Sequence, residues 1–568
     1  MNKGRKVKQA MACAVTVAML TGNLLGTSVP AYGAAAGYPA VTETPGAPTV
    51  VEGISIPPSV RLVDEKATSE TAELYAYLKG VGQSSYVLYG HQNDTHHKGG
   101  RSYEGSSTSD TRDLTGSIAA ICGIDSLSLT GAELGLAEGK KDSVDEAAAL
   151  SIKAAAEGSI IEFSAHMPNF ALVAEKGKDA DGEYDYSGYS PNDTTGNVMD
   201  KILPGGELNE VFTGFLDIVA DYGLQLQEAG VPVLFRPFHE NNGSWFWWGA
   251  AFCDEEGYKN VYRYTVEYLR DVKGVHNFLY VYSPNGPFKD MADYESRYPG
   301  DGYVDIVGFD MYHDNPGVQD EWMKSFRETV ELVDAVAEKH GKIPTVAETG
   351  MRVTTSLGDG SNYSGIAVSG NRRKEWFSEI EEIVAGSDMP YFMVWANFDE
   401  KNNFFAPYKV NPTHGHEMSD AFIRFYNSDR SVFADGTNQE QLKAAPAVRG
   451  YGMSGYFLSP TSGGRMIKPG KIRASLHERA EGVQFVLHNE DRSVEILLDA
   501  EEVASFDGMR HVYAAQLNKA NLDALGKTIG TMELRADGTA LSSIQVLYGI
   551  EEVDMDPLMV DQFETYLG

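Results

Sequence analysis

Eight short apolar runs, each ending in polar or aromatic residues and separated by amphipathic stretches, constrain this chain more than any other feature. They lie at 86–92 (YVLYGHQ), 126–132 (SLSLTGA), 159–166 (SIIEFSAH), 231–239 (VPVLFRPFH), 277–284 (NFLYVYSP), 304–312 (VDIVGFDMY), 343–348 (IPTVAE) and 391–397 (YFMVWAN). Each has the length and makeup of a strand buried on both faces. Helical periodicity falls between them, at about 108–121, 142–157, 207–229, 257–273, 318–341, 370–386 and 415–427. A further helix at 68–80 precedes the first strand. Eight strands alternating with helices predict an α/β fold, a (β/α)8 TIM barrel over 67–430. An open doubly wound sheet is the alternative. It would carry a Gly-rich phosphate turn after the first strand, where this sequence reads GHQNDTHHKGG.

The rest of the chain has a different texture. A basic start (Lys3, Arg5, Lys6, Lys8), an apolar run from Ala10 to Leu25 and the small residues Pro30-Ala31-Tyr32-Gly33-Ala34 predict a signal peptide over 1–33, and hence secretion. Residues 34–66 and 431–449 read as linkers. Short strand-like runs within 450–552, such as QFVLHN, VEILL and SIQVLYG, predict a small all-β sandwich after the barrel. The ending VDQFETYLG, within 553–568, reads as the opening strand of a further, truncated module.

Charge and cysteine content narrow the partners. The formal net charge of −34 repels phosphate backbones, so no nucleic-acid partner is expected. It suits a soluble extracellular protein acting on a neutral polymer, and a monomer is expected. No stretch after the N-terminal one approaches 18 apolar residues, so no membrane span is expected. Cys122 and Cys253 read as buried free thiols, with pairing left open, and no cysteine-based metal site is present. No cofactor is expected.

Two segments carry the chemistry. In 236–249, RPFHENNGSWFWWG, an apolar strand leads into Arg236, His239 and Glu240, and four aromatic rings follow. Polar groups at the C-terminal end of a barrel strand point into the active-site mouth. Trp245 reads as the sugar-facing ring, and Trp247 or Trp248 as core. In 343–350, IPTVAETG, a buried strand ends in Glu348. A lone Glu at a strand end is ordinarily a salt-bridge partner. Two of them, on the fourth and seventh of eight strands, face across the barrel mouth. Retaining glycosidases place an acid and a carboxylate about 5–5.5 Å apart, the acid with a raised pKa. Tyr312 ends the sixth strand, where its hydroxyl can hydrogen-bond Glu348. Trp395 on the eighth can form a floor under the sugar. His91 follows the first strand, His166 the third. The long 168–206 connection, with Tyr184, Tyr186 and Tyr189, lies on the same face and reads as functional.

These features resemble glycoside hydrolase family 26, whose best-known members are β-1,4-mannanases. The matching segments are YGHQND at 89–94, HMPN at 166–169, RPFHENNGSWFWWG at 236–249, GFDMY at 308–312, AETG at 347–350 and MVWAN at 393–397. The resemblance implies Glu240 as acid/base and Glu348 as nucleophile of an endo-acting retaining enzyme on β-mannan. It also implies sugar contacts from His166, Trp245, Tyr312 and Trp395, with His91 and His239 as neighbours in the pocket. It further implies an immunoglobulin-like accessory domain over 450–552 and the start of a carbohydrate-binding module in the last residues. β-1,3-Xylan and mixed-linkage β-glucan are the alternative substrates within the family. A non-catalytic glycan-binding protein would lack one carboxylate. A metal hydrolase of the HExxH type is disfavoured because Asn242 and Gly243 follow His239-Glu240-Asn241, with no second histidine. A serine hydrolase would need a GxSxG elbow, which the barrel region lacks.

Overall fold

The computed structural model describes residues 60–437 and 470–549, apart from 101, 104, 189, 318–319, 354–364, 368–369, 399–402, 412–413, 477–478, 490–492, 507–509, 526–527 and 537–538. The expected signal peptide, most of both linkers, the first part of the expected sandwich, the 553–568 segment and Tyr189 lie outside the described residues.

The chain runs α1 (Ser69–Gly82), β1 (Val87–Gln92), α2 (Asp110–Thr115), β2 (Ile121–Asp125), α3 (Val144–Ala156), β3 (Ile160–Ala165), α4 (Phe170–Lys176), α5 (Asn209–Glu228), β4 (Val233–Pro237), α6 (Glu255–Glu267), β5 (Phe278–Tyr282), α7 (Met291–Glu295), β6 (Ile306–Asp314), α8 (Trp322–His340), β7 (Ile343–Arg352), α9 (Trp376–Val384), β8 (Tyr391–Val394), β9 (Lys409–Asn411), β10 (His414–Gly415), α10 (Ser419–Tyr426) and β11 (Ser431–Val432). Strands β1 to β8 pair in sequence order, all parallel, and β8 pairs back to β1. This is a closed eight-stranded parallel barrel, as the alternation predicts. β11 adds two residues to the lower part of β1.

One strand differs from the sequence expectation. The second lies at Ile121–Asp125, not at 126–132, and Ser126–Ser128 form a short 3-10 turn. SLSLTGA alternates as a half-exposed strand does. A barrel strand is covered on both faces, so the continuous run IAAICGID wins the place. Asp125 ends the strand and accepts from Leu127 N–H, which starts the turn. Two short helices, α4 and α7, sit where the sequence suggests loop.

The helices follow their apolar stripes. In α8, Phe326, Thr329, Val330, Val333, Val336 and Ala337 are buried at three- and four-residue spacing. Gly341 ends the helix in the left-handed conformation, φ 66°, that a C-terminal cap requires. In α5, Gly223 lets the helix lie on Phe278, since a Cβ there would sit 2.7 Å from the ring.

The barrel interior changes character along its axis. At the N-terminal end, Leu88, Ile121, Leu234, Leu279, Ile306 and Met393 form one apolar cluster with Leu74, Leu78 and Val81 of α1. Helix α1 therefore plugs the bottom. Side chains alternate along each strand, so the next inward positions upward are Glu162 and Ser164 on β3, Arg236 on β4, Asp310 on β6 and Glu348 on β7. The apolar floor supports an ionic layer at the mouth.

After the barrel, β12 (Gly470–Leu476), β13 (Gln484–His488), β14 (Glu495–Asp499), β15 (Glu501–Phe506), β16 (Arg510–Leu517), β17 (Thr528–Ala536) and β18 (Thr539–Gly549) form two antiparallel sheets, ordered β12-β16-β15 and β14-β13-β17-β18. Cys122 and Cys253 are separate thiols. Among the described residues no helix is long and apolar enough to cross a membrane.

Candidate active site

Glu240 reaches the mouth through an unusual turn. After Pro237, Phe238 and Glu240 both take positive φ, 51° and 50°. Non-glycine residues occupy that region sparingly, and often at functional sites. The turn sends Phe238 outward into the aromatic layer of Trp247, Trp248 and Tyr258. Glu240 N–H donates to Ser283 O at 2.8 Å, which holds the turn against β5. Trp247 and Trp248 are fully buried, and Trp248 Nε1 donates to His239 O at 2.7 Å. Trp245 is partly exposed, and its Nε1–H donates to Glu240 Oε2 at 2.5 Å. The 168–206 connection positions it: Asn192 Nδ2 donates to Trp245 O at 3.0 Å, and Trp247 N–H donates to Pro191 O at 3.1 Å.

Glu348 arrives by a different device. The β6–β7 register shifts so that Phe309 faces Val346 while Asp310 faces Glu348, which leaves Ala347 as an extra residue. Such a bulge re-aims the following side chain, here into the barrel. Arg236, itself fully buried, donates through Nη2 to Glu348 Oε2 at 2.7 Å. Its Nε donates to Glu162 Oε1 at 2.8 Å and its Nη1 to Asp310 Oδ2 at 2.9 Å. One guanidinium thus serves three buried carboxyls, with Ser164 Oγ at 3.0 Å as a further partner. The Tyr312 hydroxyl donates a short hydrogen bond to Glu348 Oε1.

The electrostatics separate the two glutamates. Burial, and then the charge of Glu348, push the Glu240 pKa up to about 7, despite the indole hydrogen bond that opposes the shift. Burial also raises Glu162 to about 7, against the Arg236 charge. Asp310 is raised well above the usual carboxylate range by burial, again against Arg236. Glu348 instead accepts from Arg236 Nη2 and from the Tyr312 hydroxyl.

The sugar-facing candidates divide clearly. His166 and His239 meet at 3.0 Å through their Nε2 atoms. His166 Nδ1 lies 2.6 Å from Asp125 Oδ2. Burial opposes charge on His166, yet Asp125 outweighs it and the pKa is raised. His239 is held well below the usual range by burial, Arg236 and His166. Trp395 packs edge-on to His166, with ring centroids 5.1 Å apart, and Arg352 lies over the Tyr312 ring at 4.4 Å. His166, His239, Trp245, Tyr312 and Trp395 therefore gather with the two glutamates.

His91 is not brought to this group. It shares the outward face of β1 with Tyr89, is completely buried, and its Nδ1 lies 2.8 Å from Asp94 Oδ1 and 3.2 Å from Thr111 Oγ1. The reason is strand alternation: Gln92, one residue on, takes the inward position. Sequence reasoning missed Glu162, Asp310 and Asp125. Their signal was a charged residue inside or at the end of an otherwise apolar strand run.

Among the described residues, His239, Asp310 and Glu348 form a group whose potential ligand atoms lie within 4.8 Å of one another. Arg236 already donates to both of its acids, so a guanidinium supplies the positive charge there.

Comparison with known proteins follows this geometry. The sequence pattern of glycosyl hydrolase family 26 matches residues 63–364. A mannan endo-1,4-β-mannosidase of Bifidobacterium adolescentis is 32% identical over 502 residues, covering 85% of this chain and 46% of that protein. A mannan endo-1,4-β-mannosidase of Bacillus subtilis is 34% identical over 165 residues, covering 28% of this chain and 42% of that protein. The chain spans less than half the length of these curated relatives. Among solved structures, the catalytic domain of a family 26 endo-β-1,4-mannanase from Bacillus sp. JAMB-750 superposes with a TM-score of 0.59 at 33% identity, covering 69% of this chain and 98% of that one. A modular endo-β-1,4-mannanase from Cellulomonas fimi gives 0.55 at 27%, covering 86% and 100%.

Proposed function

The chain belongs to glycosyl hydrolase family 26, and on that premise we propose that it is a secreted, endo-acting, retaining β-1,4-mannanase that cleaves mannan, glucomannan or galactomannan. The observation that carries this reading is the opposite treatment of two buried carboxyls. Burial pushes the Glu240 pKa up to about 7, in the range that suits a general acid. Glu348 is held as an acceptor by Arg236 and Tyr312, as a nucleophile must be.

The steps follow from those states. Glu348 attacks the anomeric carbon while Glu240 gives its proton to the leaving glycosidic oxygen. A glycosyl ester forms on Glu348 and Glu240 becomes a carboxylate. Glu240 then takes a proton from water, whose oxygen attacks the same carbon and releases Glu348. Trp395 and Trp245 offer flat faces for the C–H sides of the sugars, and His166 packs edge-on against Trp395 with His239 beside it. The choice of mannan rests on the names of the relatives. The two C-terminal sheets read as an immunoglobulin-like sandwich accessory to the barrel, and the N-terminal residues as a cleaved signal peptide.

Incubation with mannan, galactomannan, β-1,3-xylan and mixed-linkage glucan tests the substrate. Internal cleavage of a mannan is expected, with the β-anomer of the new reducing end seen first by NMR. No product from either mannan overturns the substrate, and an α-anomer seen first overturns retention.

A further inference from the structure

Two buried polar atoms beneath the sugar pocket have no hydrogen-bond partner among the described residues: Nδ1 of His239 and Oδ1 of Asp310. Leaving buried polar atoms unpaired is costly. An atom of each residue lies within 4.8 Å of the other, a span that a single water closes with two ordinary hydrogen bonds. The far sides of both residues are fixed. His239 Nε2 meets His166 Nε2 at 3.0 Å, and His166 Nδ1 meets Asp125 Oδ2 at 2.6 Å. Asp310 Oδ2 accepts from Arg236 at 2.9 Å.

The contact between the two Nε2 atoms is a hydrogen bond only when one nitrogen carries a proton and the other is bare. A neutral imidazole has one N–H and one lone pair. His239 can therefore accept from His166 or from Asp310, but not from both. We propose that Asp125, His166, His239 and Asp310 form a proton relay, in which one proton passes between Asp310 and His166 by way of His239.

The two states balance. In the first, Asp310 Oδ1–H donates toward His239 Nδ1, His239 Nε2–H donates to His166 Nε2, and His166 Nδ1–H donates to Asp125. In the second, Asp310 is a carboxylate that accepts from His239 Nδ1–H. His166 then holds both ring protons, donating to His239 Nε2 and to Asp125. Each proton moves by one hydrogen bond, directly or through the bridging water, and the net charge does not change. Both ends compete in earnest: burial raises Asp310, while Asp125 raises His166 against its own burial. The other charged or polar groups facing the relay are Arg236, Ser283, Glu240, Glu133 and Glu348.

The purpose of the relay rests on the double-displacement reading. With Glu348 ionised, Arg236 faces three carboxyls, and a proton on Asp310 leaves more of its charge for Glu348. Ester formation removes the Glu348 charge. That charge favours a proton on Asp310 and on His166 alike, but Asp310 shares the Arg236 guanidinium with Glu348 and feels its loss more, so Asp310 gains as a carboxylate and the proton moves to His166.

Histidine ring 15N shifts in the full chain, assigned through His166→Gln and His239→Gln, test the relay without turnover. Glu348→Gln imitates the loss of charge. In the wild type the His239 proton is expected on Nε2 with His166 neutral. In Glu348→Gln it is expected on Nδ1 with His166 an imidazolium. The same His239 tautomer in both proteins overturns the relay. Asp310→Asn supplies a second check. Its amide oxygen must take the Oδ2 place facing Arg236, so its N–H faces His239 and fixes the first state. A tautomer switch that survives in Glu348→Gln/Asp310→Asn overturns the relay as well. Mass detection of a mannosyl ester on Glu348 from a 2-fluoro mannosyl donor tests the double displacement separately. A missing ester with an intact tautomer switch removes that reading and leaves the relay.

Discussion

The ends of β4 and β7 make the same side chain do different work. β4 stops at Pro237 and passes into a turn with Phe238 and Glu240 at positive φ. β7 continues as a strand through Glu348 to Arg352, with one extra residue at Ala347. The glutamates are almost equally buried, at 9% and 5% exposure. Depth therefore does not distinguish them; their donors do. An indole N–H beside Glu240 leaves desolvation dominant, and a proton stays. A guanidinium and a phenol beside Glu348 meet both oxygens of the carboxylate. On the proposed mechanism, a loop delivers the group that trades protons and a strand fixes the one that attacks.

That contrast can be broken from either side. On the proposed mechanism Glu348→Ala removes the nucleophile, and mannan hydrolysis is expected to fall by about 10⁴-fold or more in kcat, measured by reducing-sugar release. Near wild-type turnover would sink the assignment. Glu240→Gln is expected to lose about 10³-fold on mannan, and less on an aryl mannoside whose leaving group needs no proton. The same variant has a stability signature. The folded pKa of Glu240, about 7, lies above its ordinary 4.5, so folding retains a proton that the unfolded chain releases. The wild type should lose stability as pH rises from about 4.5 to about 7, and Glu240→Gln should be the more stable protein at pH 8 but not at pH 4, by thermal melting. Arg236→Lys keeps the charge but loses the fork that reaches three carboxyls at once, and about 10²-fold in kcat is expected to go. Trp245→Phe gives the smallest effect, about tenfold in kcat/KM. Its sign matters more: the indole favours the Glu240 carboxylate, so its loss should move the alkaline limb of the pH–rate profile upward. A downward shift would mean that the limb reports another group.

Much of the barrel was legible because closed parallel strands must be covered on both faces, and such runs stand out in sequence. The 126–132 segment misled because its alternation suits a half-exposed strand. IAAICGID beside it was the fully buried run. The two glutamates and their aromatic neighbours were readable from their places at strand ends. His91 shows the limit. A residue near a strand end faces in or out according to parity, and a one-residue error in phase moves it across the wall. Asp310 and Glu162 were hidden for another reason. Their importance comes from convergence on Arg236, and Glu162 and Asp310 are each 74 positions from it along the chain.

The two residues of β11 reach further than their length suggests. Ser431 and Val432 pair with Val87 and Leu88, below the point where β2 joins β1 at Gly90, and Phe433 lies 4.8 Å from Tyr89. Val87 N–H also donates to Arg430 O at 2.9 Å. A fragment trimmed at residue 430 would carry every residue of the candidate site and still leave that seam half unstitched. Its exposed backbone edge would invite pairing with other chains. On the ribosome the order is the same: the lower seam closes only after the last residue of the candidate site has emerged, so a stalled chain holds that site yet stays vulnerable.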